Sequence, residues 1–136
     1  MADISITAAS VVPGTGAVLS QGLAGEAISA GQAVALNPTT NTYFKADNDS
    51  ATTALRTPAG ICVVGANSGG PLLFQTAGEL TIGATLTPGV PLFVSATAGG
   101  ICPLADLTTG RTVQQLGLCK TAAIFTVQLN PLGITI

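Results

Sequence analysis

Histidine and tryptophan are both absent from these 136 residues. Without histidine there is no Ser-His or Cys-His catalysis, no histidine metal site and no ordinary proton shuttle near neutral pH. Charge is scarce as well: four basic and six acidic residues make up 7% of the chain, against roughly 25% in an average domain. Lys45, Arg56, Arg111 and Lys120 are the only cations. They cannot neutralise a run of phosphates, so nucleic acid is not expected as a partner. Long apolar runs are missing too. Gly, Pro, Thr, Ser or Asn interrupts each one well before the roughly 18 residues of a membrane helix, and no membrane partner is expected. Met1 to Ile6 carries an acid at Asp3, no basic region and no long apolar stretch, which predicts no secretory leader. Three cysteines, an odd number, do not make a disulfide framework. Cys62, Cys102 and Cys119 are expected to fold as reduced, buried small hydrophobes of a cytosolic compartment.

What is present points to one folded domain. The length suits a single core, and 47% hydrophobic residues with a mean hydropathy of +0.60 supply the apolar surface that a disordered chain lacks. A compact monomer of this mass exposes roughly 6,000–7,000 Å². Ten charges over that area leave a nearly neutral skin, the kind of surface that other subunits cover.

Seventeen glycines and eight prolines punctuate short apolar runs every 8–12 residues or so, the rhythm of an all-β domain. Val34–Leu36, Gly60–Val64, Pro71–Phe74, Pro91–Val94 and Ala123–Val127 are predicted strands. Several are continuous apolar runs, so both faces are expected to be covered, by an opposite sheet or by another subunit. One short helix is predicted over Ala51 to Arg56, with Ser50 as its N-cap and Thr57-Pro58 as its stop. The stretch from Gly25 through Gly31 to Leu36 lies over that from Gly83 through Gly89 to Val94. One residue out of step, Gly60-Ile61-Cys62 lies over Gly117-Leu118-Cys119. The expected fold is a small β-barrel or β-clip-like domain over residues 25–136, with pseudo-repeats 25–82 and 83–136. Residues 1–24 have no counterpart in the second half. They read either as an extended N-terminal arm that pairs with a neighbouring sheet edge or as an ordinary first strand of the same subunit.

No constellation of catalytic, cofactor-binding or metal-ligating residues emerges. Gly14-Thr15-Gly16 and Gly65–Gly70 lack the Lys-Ser/Thr of a phosphate loop and read as turns. Asp47 and Asp49 lack the glycine and distal glutamate of a calcium loop. Glu26 and Glu79 read as surface turn residues, Glu79 following Ala77-Gly78 in a predicted hairpin turn. Cys119 precedes Lys120, but neighbours on a strand point to opposite faces. Tyr43-Phe44 is a small aromatic pair whose default is packing.

The run Ala24-Gly25-Glu26-Ala27-Ile28-Ser29-Ala30-Gly31-Gln32-Ala33-Val34 resembles the opening of tailed-phage capsid cement, or head decoration, proteins. That opening is typically followed by a Tyr-x-Lys-Ala-like stretch, a short helix and a Gly-apolar strand. Here Tyr43-Phe44-Lys45-Ala46, the 50–56 segment and Gly60-Ile61-Cys62 stand in that order, with Gly89–Ser95 and Leu116–Cys119 beyond. The resemblance covers about residues 24–127 and implies a structural virion protein without catalysis or cofactor. Such a protein is made in the host bacterial cytoplasm, sits on the outer capsid surface as a homotrimer, and has the major capsid protein as its partner. The residues chosen for contact with capsid or neighbouring subunit are Ile4, Ile6, Val11, Val12, Val18 and Leu19. The alternative is a carbohydrate-binding β module of a head fibre or tail component, holding a surface glycan on an aromatic such as Tyr43-Phe44.

Overall fold

A computed structural model describes residues 3–136; Met1 and Ala2 of the arm lie outside the described residues. The chain is all-β. Its strands are β1 (Val12–Pro13), β2 (Val18–Leu23), β3 (Ala33–Asn37), β4 (Thr42–Lys45), β5 (Gly60–Val64), β6 (Pro71–Thr81), β7 (Pro91–Val94), β8 (Ile101–Pro103), β9 (Thr112–Cys119) and β10 (Ile124–Thr135). They form one 10-stranded antiparallel sheet in the order β4-β3-β5-β6-β10-β9-β7-β8, with β1 and β2 also paired to β6, and the sheet curls into a half-barrel. The accessible surface is 6175 Å².

That order reads alike from either end. Within the first unit Ala33 faces Ile61 and Val34 faces Gly60; within the second Pro91 faces Leu118 and Leu92 faces Gly117. The hairpins match too, Val34 opposite Lys45 as Leu92 is opposite Pro103. So do the inner ladders, Cys62 opposite Phe74 as Cys119 is opposite Phe125. The tight turns after Gly31 and Gly89 explain the spacing: both glycines sit at positive φ (91° and 84°), a region that costs glycine little. Strands β6 and β10 join the units over the ladder Thr81–Ala77 against Ile124–Gln128.

Apart from the end residues Val64 and Pro71, which stand in solvent, the continuous apolar runs are largely covered on both faces by the chain itself. Ala33, Ala35, Ile61, Leu80, Ile82, Leu92, Val94, Ile101, Leu116, Phe125 and Val127 fill the main core. Val34, on the opposite face of β3, packs with Cys62, Leu72, Phe74 and Ile28 in a second cluster. Phe93 and Cys102 do the same with Leu107 at the other end.

Two local expectations need correction. The predicted helix from Ser50 is a single 3-10 turn over Thr53–Arg56, and Thr52 at its N-cap makes no side-chain bond. Ser50 Oγ instead accepts the Thr52 N–H at 3.1 Å. The segment is too short for cooperative α-helix, and its threonines are stiff at χ1. There is also no hairpin turn at Glu79. Strand β6 runs straight through it, with Glu79 opposite Thr126.

What resembled a turn signal, Ala77-Gly78, is where the arm crowds β6. The N-terminal arm lies along one edge of its own sheet, β1 against Thr81 and Leu80 and β2 against Ala77 to Pro71, and between them a turn over residues 14–17 is bonded to Glu79 and presses on Gly78. Gly78 has φ 92°, and a Cβ there would run into the Gly16 carbonyl. Gly69 has a similar φ of 86° but nothing within 4 Å of where its Cβ would stand. Gly69→Ala is therefore expected to cost only the backbone strain, about 1–3 kcal/mol. Gly78→Ala is expected to cost clearly more, because the arm must also be displaced. Urea unfolding of the two variants checks this; equal losses would contradict the close approach of the arm at Gly78.

Candidate functional site

The titratable side chains are engaged locally. Glu26 Oε2 accepts the Lys45 N–H at 2.9 Å and its Oε1 lies 4.0 Å from Lys45 Nζ. Lys120 pairs with Glu79 at 2.5 Å, and Arg111 pairs with Asp49. Arg56 Nε donates to the Ser50 carbonyl at 2.8 Å. Glu26 and Glu79 are thus each committed to a lysine and form no acid/base pair with one another. Asp47 accepts the Asp49 N–H; burial and the neighbouring Asp49 raise its pKa. Between these acids Asn48 is buried and holds the Val94 carbonyl at 2.8 Å, which pins the loop to β7.

All three cysteines are free and buried. Burial pushes the Cys62 thiol up to about 11 and also raises Cys119. Burial, then the carboxylates of Asp3 and Asp106, pushes Cys102 to about 12. The ligand atoms of Asp3, Cys102 and Asp106 lie within 4.8 Å of one another. Asp3 accepts the Ser95 hydroxyl at 2.5 Å, so this group ties the arm to β7 and β8. Burial thus disfavours the thiolate, the form that carries nucleophilicity, at each of them.

Tyr43 and Phe44 are half-buried. Tyr43 tilts against Phe74 with centroids 4.7 Å apart and lies over Gly22, while Phe44 lies over Gly25. Those glycines give the rings room, and the rings are packed rather than set out as an open stacking platform.

The six apolar arm residues divide into two sets. Val11 is buried in the main core, and Ile4 and Ile6 pack against it. Ile4 donates its N–H to Ile101 at 2.9 Å and Thr7 donates to Gly83 at 2.9 Å. Val12, Val18 and Leu19 stand out in solvent, 54%, 52% and 44% exposed, and Leu23 continues the row along β2. Strand β2 pairs with β6 alone. No charged residue occurs from Ile4 to Gly25, so this edge lacks the charges that usually guard an open strand, although Pro13 in β1 and a register shift between Val18 and Leu19 interrupt it. A second exposed group, Leu132, Ile134 and Ile136, went unnoticed in the sequence. The signal was the uncharged stretch from Thr121 to Ile136. Pro131 and two register shifts already break up that strand edge.

No family model matches the chain, and no curated protein matches it.

The thiols make a pH prediction. Each folded pKa lies above the ordinary value near 9, so the unfolded chain releases these protons first. Stability from these groups is complete below about pH 9 and is lost as pH rises toward 11 and 12. At about pH 8 the native chain is expected to show almost no thiol reactive to a colorimetric disulfide reagent, and the denatured chain three. A thiol that reacts at once in the native state would contradict the burial.

Proposed function

We propose that this protein binds the outside of an assembled phage head as a cement protein, acting by adhesion and without catalysis. The observation that carries the reading is the set of uncharged apolar side chains Val12, Val18, Leu19 and Leu23, open to solvent on β1 and β2, which pair with β6 alone. A free-living monomer gains nothing from such a set. A protein that spends its life against other subunits gains contact area, and many weak contacts repeated over a lattice sum to strong attachment. The resemblance of residues 24–127 to capsid cement proteins supplies the partner, the major capsid protein, and a homotrimeric state on the virion surface. The carbohydrate-binding alternative draws less support, because Tyr43 and Phe44 pack against Phe74, Gly22 and Gly25.

Exposure narrows the choice of contact residues. Ile4, Ile6 and Val11 serve this subunit's own core, which leaves Val12, Val18 and Leu19 for the capsid. Truncating the arm confuses the two roles. Leu19→Asp with Val18→Asp separates them, because both residues are exposed. The double variant is expected to keep its far-ultraviolet spectrum and thermal midpoint within a few degrees and to lose at least about tenfold in affinity for purified heads, a cost of about 1.4 kcal/mol or more. Co-sedimentation with heads lacking their decoration measures it. Undiminished binding would remove this row from the interface.

A further inference from the structure

The two units meet a second time, away from the β6–β10 ladder, where the outer ends of the curled sheet come together. Gly99, in the turn between β7 and β8, donates to the Ala46 carbonyl at 2.8 Å and accepts from Ala33 at 3.0 Å. Asn48 donates its backbone N–H to Ser95 at 3.1 Å and accepts from Thr112 at 3.1 Å. Its side-chain amide donates to Val94 at 2.8 Å. Arg111, beside Thr112, pairs with Asp49, and the Gln114 amide donates to the Thr57 hydroxyl at 3.2 Å. Residues 46–49, just past β4, therefore clasp β7, the β7–β8 turn and the start of β9 to the first unit.

This clasp carries costs of two kinds. Asn48 is buried, yet its Oδ1 accepts no hydrogen bond from the described residues, and Arg111 Nε is buried without a partner among them. Each atom forgoes the water that it would bond if the clasp opened. Charge is also crowded there. The whole chain has ten charged residues, and Asp47, Asp49, Arg56 and Arg111 all lie on or against this loop. Asp47 accepts the Asp49 N–H at 3.2 Å, which keeps the two acids close. Arg111 is the one cation set against them, because Arg56 is turned to the Ser50 carbonyl. Burial, then the Asp49 carboxyl beside it, raises the Asp47 pKa above its ordinary value; the Asp49 N–H and Arg111 offset this only in part.

We infer that residues 46–49 are an acid-tightened clasp, which stays shut in mild acid and loosens toward neutral pH, freeing the β7–β8 hairpin to move against the first unit about the β6–β10 ladder. The sign follows from the crowding. Opening returns Asp47 to water and parts it from Asp49, so the open clasp gives up the Asp47 proton more readily than the shut one. The shut form is favoured while Asp47 is protonated and loses ground as pH rises through its raised titration. The clasp thus gives one fold two states that differ by a single proton. The inference rests on the fold alone and holds whether or not the protein attaches to heads.

The test is amide hydrogen exchange of the full-length chain, followed residue by residue by nuclear magnetic resonance and corrected for the intrinsic rate at each pH. Protection of the Asn48 and Thr112 N–H groups is expected to fall at least about twofold between about pH 4 and about pH 7, relative to the amides of the β6–β10 ladder. Asp47→Asn keeps an oxygen for the Asp49 N–H and removes the charge, and it is expected to hold the higher protection at both pH values. Equal wild-type protection at the two pH values overturns the proposal, as does a fall that is just as large in Asp47→Asn. A fall shared equally by the ladder amides also overturns it, because that is loosening of the whole fold and not of the clasp.

Discussion

The ladder between β6 and β10, from Thr81 and Ile124 to Ala77 and Gln128, holds the molecule together. Each strand brings its own unit with it: β6 carries β5, β3 and β4, and β10 carries β9, β7 and β8. The main core lies where the two units meet, with Leu80 and Phe125 opposite each other and both fully buried. Burying side chains of that size stabilises by roughly 1.5–3 kcal/mol each, so the joint is a core and not a seam. The arm depends on it as well, since β1 and β2 both pair with β6. A sheet that begins and ends in like hairpins needs each outer edge covered, and the chain covers them differently, with its own Gly25 on one side and its arm on the other.

Scarcity of charge shapes the outside. Lys45, Lys120 and Arg111 each lie beside an acid, and Arg56 beside a backbone carbonyl. Exposed pairs of this kind contribute about 0–1 kcal/mol each, so stability is not their purpose. Their effect is to leave almost no net field over a surface that also carries the apolar row of β1 and β2. Water-facing proteins keep patches of this sort small or guarded. This pattern suits a molecule whose surface is shared with neighbours.

Much of the sheet was legible in the sequence because its strands are marked by glycine and by β-branched or aromatic runs. Gly60–Val64 and Pro91–Val94 coincide with β5 and β7 residue for residue. Strand β9 was harder to see, since Gln114 and Gln115 interrupt it. Gln114 is buried all the same, its amide donating to Thr57 and its carbonyl accepting from Gly133. Glu79 misled for a related reason: Gly78 beside it signals a turn, yet that glycine makes room for the Gly16 carbonyl of the arm. Local chemistry marks both residues as turn or surface, and only long-range packing places them inside a strand. The division of Ile4, Ile6 and Val11 from Val12, Val18 and Leu19 was equally out of reach. It depends on which residues of the arm face the main core, and no periodicity encodes that.

The central claim is that this neutral, partly apolar surface is shared with other copies. The most direct measurement is the solution mass by light scattering over a dilution series at neutral pH. The account predicts a constant mass three times the 13.3 kDa of one chain. A monodisperse 13.3 kDa monomer at every concentration would mean that these surfaces face water, and would contradict it.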